Sequence, residues 1–253
     1  MYRKYVPFLL FLFFLYGCNG NKQEEKEDVS VFVDLPQLKA EGEITAVTLY
    51  SSTSYFQYKM QPMGYEYDLI NDFVKSQGLK LNIKVAENPA RLIEMLEAGE
   101  ADVVAYPIPI NNKLKQEVIY CGREDISSQV LIQRANKGDK LLTDVTQLID
   151  KNVYVKPNTK YSERLKNLDE ELGGGIHIQK VENDSIATED LIEMVSLGEI
   201  PYTISDDNTA RLNKTYYWNI NVDLKVSFPQ RSSWVVRKSS PDLAKAIDEW
   251  ASD

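Results

Sequence analysis

The chain has 253 residues and carries 38 acidic against 29 basic residues, for a net charge of −9 at pH 7. This balance argues against nucleic acid as a partner, because nucleic-acid binding rewards Lys and Arg clustered on one face. The length is enough for one large domain or for two lobes that each bury a core.

Residues 1–17 have the layout of a signal peptide. A basic start precedes an apolar run, and the small residue Gly17 stands directly before Cys18. The run is shorter than the roughly 20 apolar residues that a membrane-spanning helix needs. A cysteine in this place resembles a bacterial lipobox, where it receives lipid, although Tyr16 departs from the usual small or aliphatic residue. We interpret Cys18 as a lipidation site, with an ordinary secretory signal as the alternative. Both interpretations predict export.

The segment that follows is interpreted as a disordered tether over residues 18–41. Its first part, 19–30, is polar, charged and without periodic apolar positions. Folding is expected to begin near Gly42.

From that point, apolar periodicity predicts alternating strands and helices in two successive units. The first unit comprises strands 43–50, 80–87 and 101–108 and helices 65–78 and 88–100, the latter capped by Asn88. The second comprises strands 152–156, 176–181 and 201–206 and helices 161–172 and 187–198. This alternation is the signature of mainly parallel sheets covered by helices.

Two apolar strands lie outside these units. The strand at 128–136 leaves the first unit, and the strand at 227–240 follows the second and leads into a helix at 241–250. If the last strand and helix return to the first unit, the chain crosses between two lobes twice. A cleft then opens between the lobes.

Cysteine chemistry is not expected in the folded part. Beyond Cys18 the only thiol is Cys121, so no internal disulfide forms in a chain whose Cys18 carries lipid. A nucleophilic cysteine needs a base, and the only histidine is His177. We interpret Cys121 as a small buried hydrophobic residue.

The order and spacing of several segments resemble one family. These segments are "MGYEYDLINDF", "LEAGEADVVAYPIPINNKLKQEVIYCGREDISSQVLIQRAN" and "LGEIPYTISDDNTA". They are similar to periplasmic solute-binding proteins of family 3, the polar amino acid type, and above all to the substrate-binding-like half of membrane-bound lytic transglycosylase F. The resemblance covers about residues 43–250. It implies an α/β, two-lobed periplasmic binding protein fold of type II, with two chain crossings forming a hinge. Lobe 1 would comprise 43–132 plus 229–253, and lobe 2 would comprise 133–228.

The resemblance also implies ligand contacts. In amino-acid-binding relatives an aspartate takes the ligand ammonium group, and a helix start gives N–H groups to its carboxylate. The aspartate falls on Asp206, and the helix start falls on Asn158, Thr159 and Lys160. Asp206 could instead cap the helix that follows it, and Thr159 could cap its own helix.

Other pocket positions depart from the family. The family's arginine falls on Leu114, so Lys113 is the candidate substitute, while hydroxyl-bearing positions fall on Pro107 and Pro109. Peptidoglycan-derived peptides or another partly apolar ligand therefore fit better than a free amino acid. The remaining candidate ligand-binding residues are the wall residues Tyr55, Phe56 and Tyr106, and Ser128 at the start of the connecting strand. Tyr55 and Phe56 are equally compatible with the core of a lobe.

No catalytic residue, cofactor or metal site is predicted. The transglycosylase resemblance implies a further domain with a catalytic glutamate in a Glu-Ser motif, but the sequence ends at Asp253 before such a segment. The chain as given is expected to be catalytically silent, either as a fragment or as a relative that kept only the sensor half.

These observations predict a lipid-anchored protein of the cell envelope, held in the outer membrane and facing the periplasm. It would bind a muropeptide, peptide or amino acid between its lobes and take part in peptidoglycan turnover. The predicted partners are this small ligand, the membrane through the anchor, and a transglycosylase domain or a permease. A solute receptor for an ABC-type amino acid transporter and a ligand-free scaffold are the alternatives.

Overall fold

The computed structural model describes residues 33–183 and 186–252. Its helices are α1 (Leu35–Glu41), α2 (Tyr65–Ser76), α3 (Pro89–Glu97), α4 (Lys160–Glu171), α5 (Thr188–Leu197), α6 (Asp207–Lys214) and α7 (Pro241–Ala251). Two short 3₁₀ helices span Leu114–Gln116 and Val145–Leu148. The strands are β1 (Glu43–Leu49), β2 (Phe56–Tyr58), β3 (Gln61–Met63), β4 (Lys80–Ala86), β5 (Val103–Pro109), β6 (Val118–Ser127), β7 (Gln129–Arg134), β8 (Asn152–Val155), β9 (His177–Lys180), β10 (Tyr202–Asp206), β11 (Ile220–Asn221) and β12 (Gln230–Arg237).

The first sheet, called sheet 1, has the strand order β4-β1-β5-β12-β6. β1 runs parallel to β4 and β5, whereas β12 is antiparallel to both β5 and β6. Helices α2 and α7 bury apolar side chains such as Phe73 and Ile247 against one face, and α3 covers the other with Leu92 and Leu96. The late strand β12 therefore completes a sheet that was begun by β1.

The second sheet, called sheet 2, has the order β11-β7-β10-β8-β9. β8, β9 and β10 are parallel, and β7 is antiparallel to β10. Leu165 of α4 packs in the core on one face, and Leu191 of α5 and Ala210 of α6 pack in the core on the other. Each sheet thus has its own hydrophobic core.

The chain passes between the two sheets twice, which confirms the predicted two-lobed fold with two crossings. The outgoing and returning segments lie side by side. Gln129 N–H donates to the Ser227 hydroxyl at 2.7 Å, and Val226 N–H donates to the Gln129 carbonyl at 2.9 Å. These two hydrogen bonds hold the two crossings together as one hinge.

The outgoing crossing falls earlier than predicted. The proposed lobe 1 ran to residue 132, but β7 begins at Gln129 and lies wholly in sheet 2, so the crossing is at Ser128. β6 and β7 follow one another almost without interruption, and no turn residue separates them. An apolar run of this kind does not reveal where a chain changes sheets.

The predicted tether is also too long. Residues 35–41 form α1, whose N-cap Asp34 makes a capping box with Gln37 and whose last turn ends at Gly42 in the left-handed region. The Asp34 carboxylate also accepts N–H bonds from Asp242 and Leu243 at the start of α7. Burial of Leu38 explains why this short helix is ordered, since it packs in the core under sheet 1. The predicted signal peptide, Cys18 and most of the tether lie outside the described residues.

The hairpin β2–β3 was not predicted from the sequence. It leads through Gly64, which has φ +134°, into α2. A Cβ atom at this position would lie 2.3 Å from the Ser54 carbonyl oxygen, so the close approach requires glycine. This contact fixes how the loop after β1 meets the start of α2.

Candidate functional site

Asp206 lies at the end of β10 in sheet 2, and its carboxylate is already engaged. It makes no hydrogen bond that caps α6. Its Oδ2 atom instead lies 2.5 Å from Lys160 Nζ and accepts a hydrogen bond from the Tyr161 hydroxyl at 3.2 Å. The Lys160 and Asp206 side chains are 20% and 18% exposed, so the ion pair is largely withdrawn from water. The helix-capping alternative for Asp206 is therefore wrong for its side chain.

Tyr161 binds both members of this ion pair. Its ring is buried, and Lys160 Nζ lies 5.5 Å from the ring centroid, within range of a cation–π interaction. Burial raises the pKa of the Tyr161 hydroxyl, and the charge of Asp206 raises it further. The phenol therefore keeps its proton and remains a donor.

Tyr106 approaches the same region from sheet 1. Burial raises the pKa of its hydroxyl, with smaller contributions from the charges of Asp206, Glu189 and Glu66. Two of these carboxylates belong to the other lobe. Tyr106 therefore lies within electrostatic range of carboxylates on the other lobe.

Thr159 acts as the N-cap of α4. Its hydroxyl accepts the Ser162 N–H at 3.3 Å and donates to the Lys156 carbonyl at 2.8 Å, while the Thr159 N–H donates to Ser162 Oγ at 3.1 Å. Asn158 before it has φ +56°, in the left-handed region that asparagine tolerates. The capping interpretation of Thr159 is confirmed, and its hydroxyl is occupied by that role.

A direct contact joins the two lobes. Ser52, in the loop after β1, donates its hydroxyl to Glu189 Oε1 at 3.2 Å and its N–H to the same oxygen at 3.4 Å. Glu189 lies in the first turn of α5, where acidic residues are favoured by the helix dipole. Burial raises the pKa of Glu189, and the bonds from Ser52 oppose that rise. No local sequence pattern indicated this pair, because the two residues are 137 positions apart.

Comparison with known proteins identifies the family of this chain. Residues 44–253 match the sequence profile of the bacterial extracellular solute-binding proteins, family 3. The chain belongs to this family. The resemblance read from the sequence is thereby confirmed.

Two relatives of this family 3 protein are membrane-bound lytic murein transglycosylases F. The enzyme of Desulfosudis oleivorans is 30% identical over 218 residues, which is 85% of this chain and 46% of the relative. The enzyme of Stutzerimonas stutzeri is 28% identical over 218 residues, 85% of this chain and 44% of the relative. The chain therefore spans less than half the length of these curated relatives.

Solved structures support the fold of this family 3 protein. The holo form of ArgBP from T. maritima has a TM-score of 0.72 at 19% identity, covering 86% of this chain and 92% of its own. The substrate-binding protein of an amino acid ABC transporter has a TM-score of 0.67 at 20% identity, covering 83% and 92%. Within the described residues, no helix of this family 3 protein is both long and apolar enough to pass through a membrane.

The other predicted ligand residues of the family 3 chain lie in varied places. Tyr55 is buried and packs edge-on against Tyr67 with ring centroids 5.6 Å apart, while Phe56 is half-buried in the hairpin. Ser128 is buried at the outgoing crossing, where its carbonyl accepts the Asp207 N–H. Lys113 is exposed beside the first 3₁₀ helix. Their ligand contacts stay predictions.

The family 3 chain also has a buried carboxylate that sequence reasoning missed. Glu66 is 7% exposed in the first turn of α2 and accepts a hydrogen bond from Trp234 Nε1 at 2.6 Å. Burial raises the pKa of Glu66 to about 7, although the bond from Trp234 opposes this rise. Both residues line a small cavity together with Trp250, which stacks on Trp234. A buried acid at the start of an amphipathic helix could not be distinguished from an ordinary first-turn acid in sequence.

Cys121 lies on β6 with its side chain buried in the core of the first lobe, as predicted, and burial raises the pKa of its thiol. His177 lies exposed on β9 of sheet 2. The two side chains therefore belong to different lobes and do not form a nucleophile–base pair.

Proposed function

We propose that this chain is a lipid-anchored envelope protein that binds a small ligand in the cleft between sheets 1 and 2 and closes on it. The observation that carries the proposal is that Tyr106 of sheet 1 lies within electrostatic range of Asp206, which ends β10 of sheet 2 and pairs with Lys160 of α4. Clefts of this kind hold ligands with apolar walls and a few placed polar groups. The lobes close when the ligand has a higher affinity for the closed state, where it contacts both lobes, than for the open state, where it contacts one.

The ligand class is a muropeptide, another peptide or an amino acid. Similarity to lytic transglycosylases F favours a cell-wall fragment, and Pro107 and Pro109 in β5 remove hydroxyl groups that a free amino acid would use. The protein would then serve as the ligand-sensing part of peptidoglycan turnover. Its catalytic partner would be a transglycosylase domain, in this polypeptide or in another.

The anchor belongs to the same proposal. Cys18 follows Gly17 in a lipobox-like sequence, and membership of an extracellular family agrees with export. We place the protein in the outer membrane, with its cleft facing the periplasm where peptidoglycan fragments are released.

Titration of the full chain with N-acetylmuramoyl-L-alanyl-D-isoglutamine tests this function. At a ligand concentration about 100 times Kd, binding stabilises the native state by about 2.7 kcal/mol, which raises Tm by roughly 5 to 10 °C for a domain of this size. Thermal unfolding and calorimetry measure both quantities. Glu189→Ala removes the contact between the lobes and is expected to weaken binding about three- to tenfold, the effect of one hydrogen bond.

The matched control is Glu199→Ala, because Glu199 is exposed just after α5. It is expected to leave the affinity unchanged. No thermal stabilisation by muropeptides, peptides or amino acids would contradict the proposed function. Stabilisation by free amino acids alone would favour the second candidate, a receptor for an amino acid transporter, which family membership motivates.

A further inference from the structure

Lys160 places a cation where a ligand ammonium group would bind. Its Nζ atom lies 2.5 Å from Asp206 Oδ2, and the same oxygen accepts the Tyr161 hydroxyl. In a partly buried cleft an ammonium group needs a carboxylate partner, because a charged group that is removed from water is stable only when it is paired. The Asp206 carboxylate therefore already has its cationic partner in the chain itself.

The position of Lys160 is not explained by helix formation. It is the first residue of α4, where the positive end of the helix dipole disfavours a cation. The capping bonds of α4 come from Thr159 and Ser162, and neither uses the lysine side chain. Pairing with Asp206 and contact with the Tyr161 ring offset the unfavourable interaction of the Lys160 charge with the α4 dipole.

A competing ammonium group would have to expel Lys160 from this site. The Lys160 ammonium would then lose its carboxylate partner in a largely buried site, and leaving one charge of such a pair uncompensated is strongly unfavourable. The nearby carboxylate of Glu189 already accepts two hydrogen bonds from Ser52. A free amino terminus thus meets Asp206 with its cationic partner in place and Glu189 with its Oε1 atom already hydrogen-bonded.

We infer that Lys160 is a specificity-determining residue, acting as a built-in ammonium that makes the cleft select ligands whose amino group is acylated. This inference rests on the proposed function and narrows its ligand class to N-acyl peptides. The stem peptide of a muropeptide is such a ligand, because its first amino group is joined in an amide bond to the lactyl group of the sugar. Rejection of the wrong ligand by an unfavourable contact is a general route to specificity.

The test compares one dipeptide in two forms, L-alanyl-D-glutamate and its N-acetyl derivative, by calorimetry on the full chain. Wild type is expected to bind the acetylated form at least tenfold more tightly. Lys160→Met keeps a side chain of similar length without charge, and it is expected to reduce this preference at least tenfold by gaining affinity for the free form. The control Lys166→Met, at an exposed position on the same helix, should keep the wild-type preference.

Equal binding of both forms by wild type, or an unchanged preference in Lys160→Met, would overturn the inference and leave the proposed function standing. If neither form binds either protein, the peptide part of the proposed function fails, and the ligand preference fails with it. A cycle of Lys160→Met, Asp206→Asn and the double variant in urea needs no ligand. The shift of the unfolding midpoint in the double variant should be smaller than the sum of the single shifts, and additive shifts would overturn the pairing.

Discussion

Replacing Asp102 by alanine is expected to destabilise the protein by about 3 to 5 kcal/mol, the cost of leaving a buried charge without its partner. Asp102 Oδ1 lies 2.9 Å from Arg237 Nη2, and the two side chains are 14% and 7% exposed. The other carboxylate oxygen accepts the Thr45 N–H at 2.9 Å. Asp102 therefore joins the start of β5 to both β1 and the end of β12. Urea unfolding of the variant and wild type measures the difference.

Two further variants make this result specific. Glu100→Ala breaks an exposed ion pair with Arg91 and is expected to destabilise the protein far less than Asp102→Ala, because water screens the pair. Combining Asp102→Ala with Arg237→Met removes both charges, so the double variant should be more stable than Asp102→Ala alone. Equal losses for Asp102→Ala and Glu100→Ala would show that β12 is not fastened to sheet 1 in this way.

Replacing Glu66 by glutamine is expected to stabilise the protein in neutral and alkaline solution by up to about 3 kcal/mol. Burial raises the pKa of Glu66 from 4.5 to about 7, so between these values the folded state holds a proton that the unfolded state has released. The contribution of Glu66 to stability therefore falls as pH rises through this window, and the full penalty is present above about pH 7. Glutamine keeps an acceptor for Trp234 Nε1 without carrying a charge.

The pH profile separates this effect from a simple change of packing. The difference in unfolding free energy between Glu66→Gln and wild type should be near zero at pH 4.5 and should grow until about pH 7. Glu97→Gln, an exposed change on α3, is the matched control and should show no such growth. A difference that stays constant from pH 4.5 to 8 would contradict the burial of an ionisable Glu66.

The fold was largely predictable because its elements have strong periodicity and clear caps. Asn88 caps α3 through a bond to the Arg91 N–H, as its place before Pro89 indicated. The return of β12 followed from the comparable apolar strands at 128–136 and 227–240. By contrast, α1 has only 7 residues and depends on Asp34 contacts with α7, which are more than 200 positions away. Short elements that are held by distant contacts leave little trace in local sequence.

The site was predictable only as separate residues. Asp206 and Lys160 were both expected to contact ligand, but their pairing across 46 positions depends on how β10 and α4 meet at the end of sheet 2. Glu66 and Trp234 are 168 positions apart, and their contact depends on β12 lying next to β5, against which α2 packs. Pairwise geometry between distant segments decides which charges are free, and it is this geometry that sequence reasoning could not supply.

The position of the bound ligand tests most directly whether the site lies between the two lobes. With N-acetylmuramoyl-L-alanyl-D-isoglutamine bound to isotope-labelled protein, intermolecular nuclear Overhauser effects report protons within about 5 Å of the ligand. We expect such effects to Tyr106 of sheet 1 and to Lys160 beside sheet 2 in the same complex. Effects confined to residues of one sheet would contradict a ligand held between two lobes.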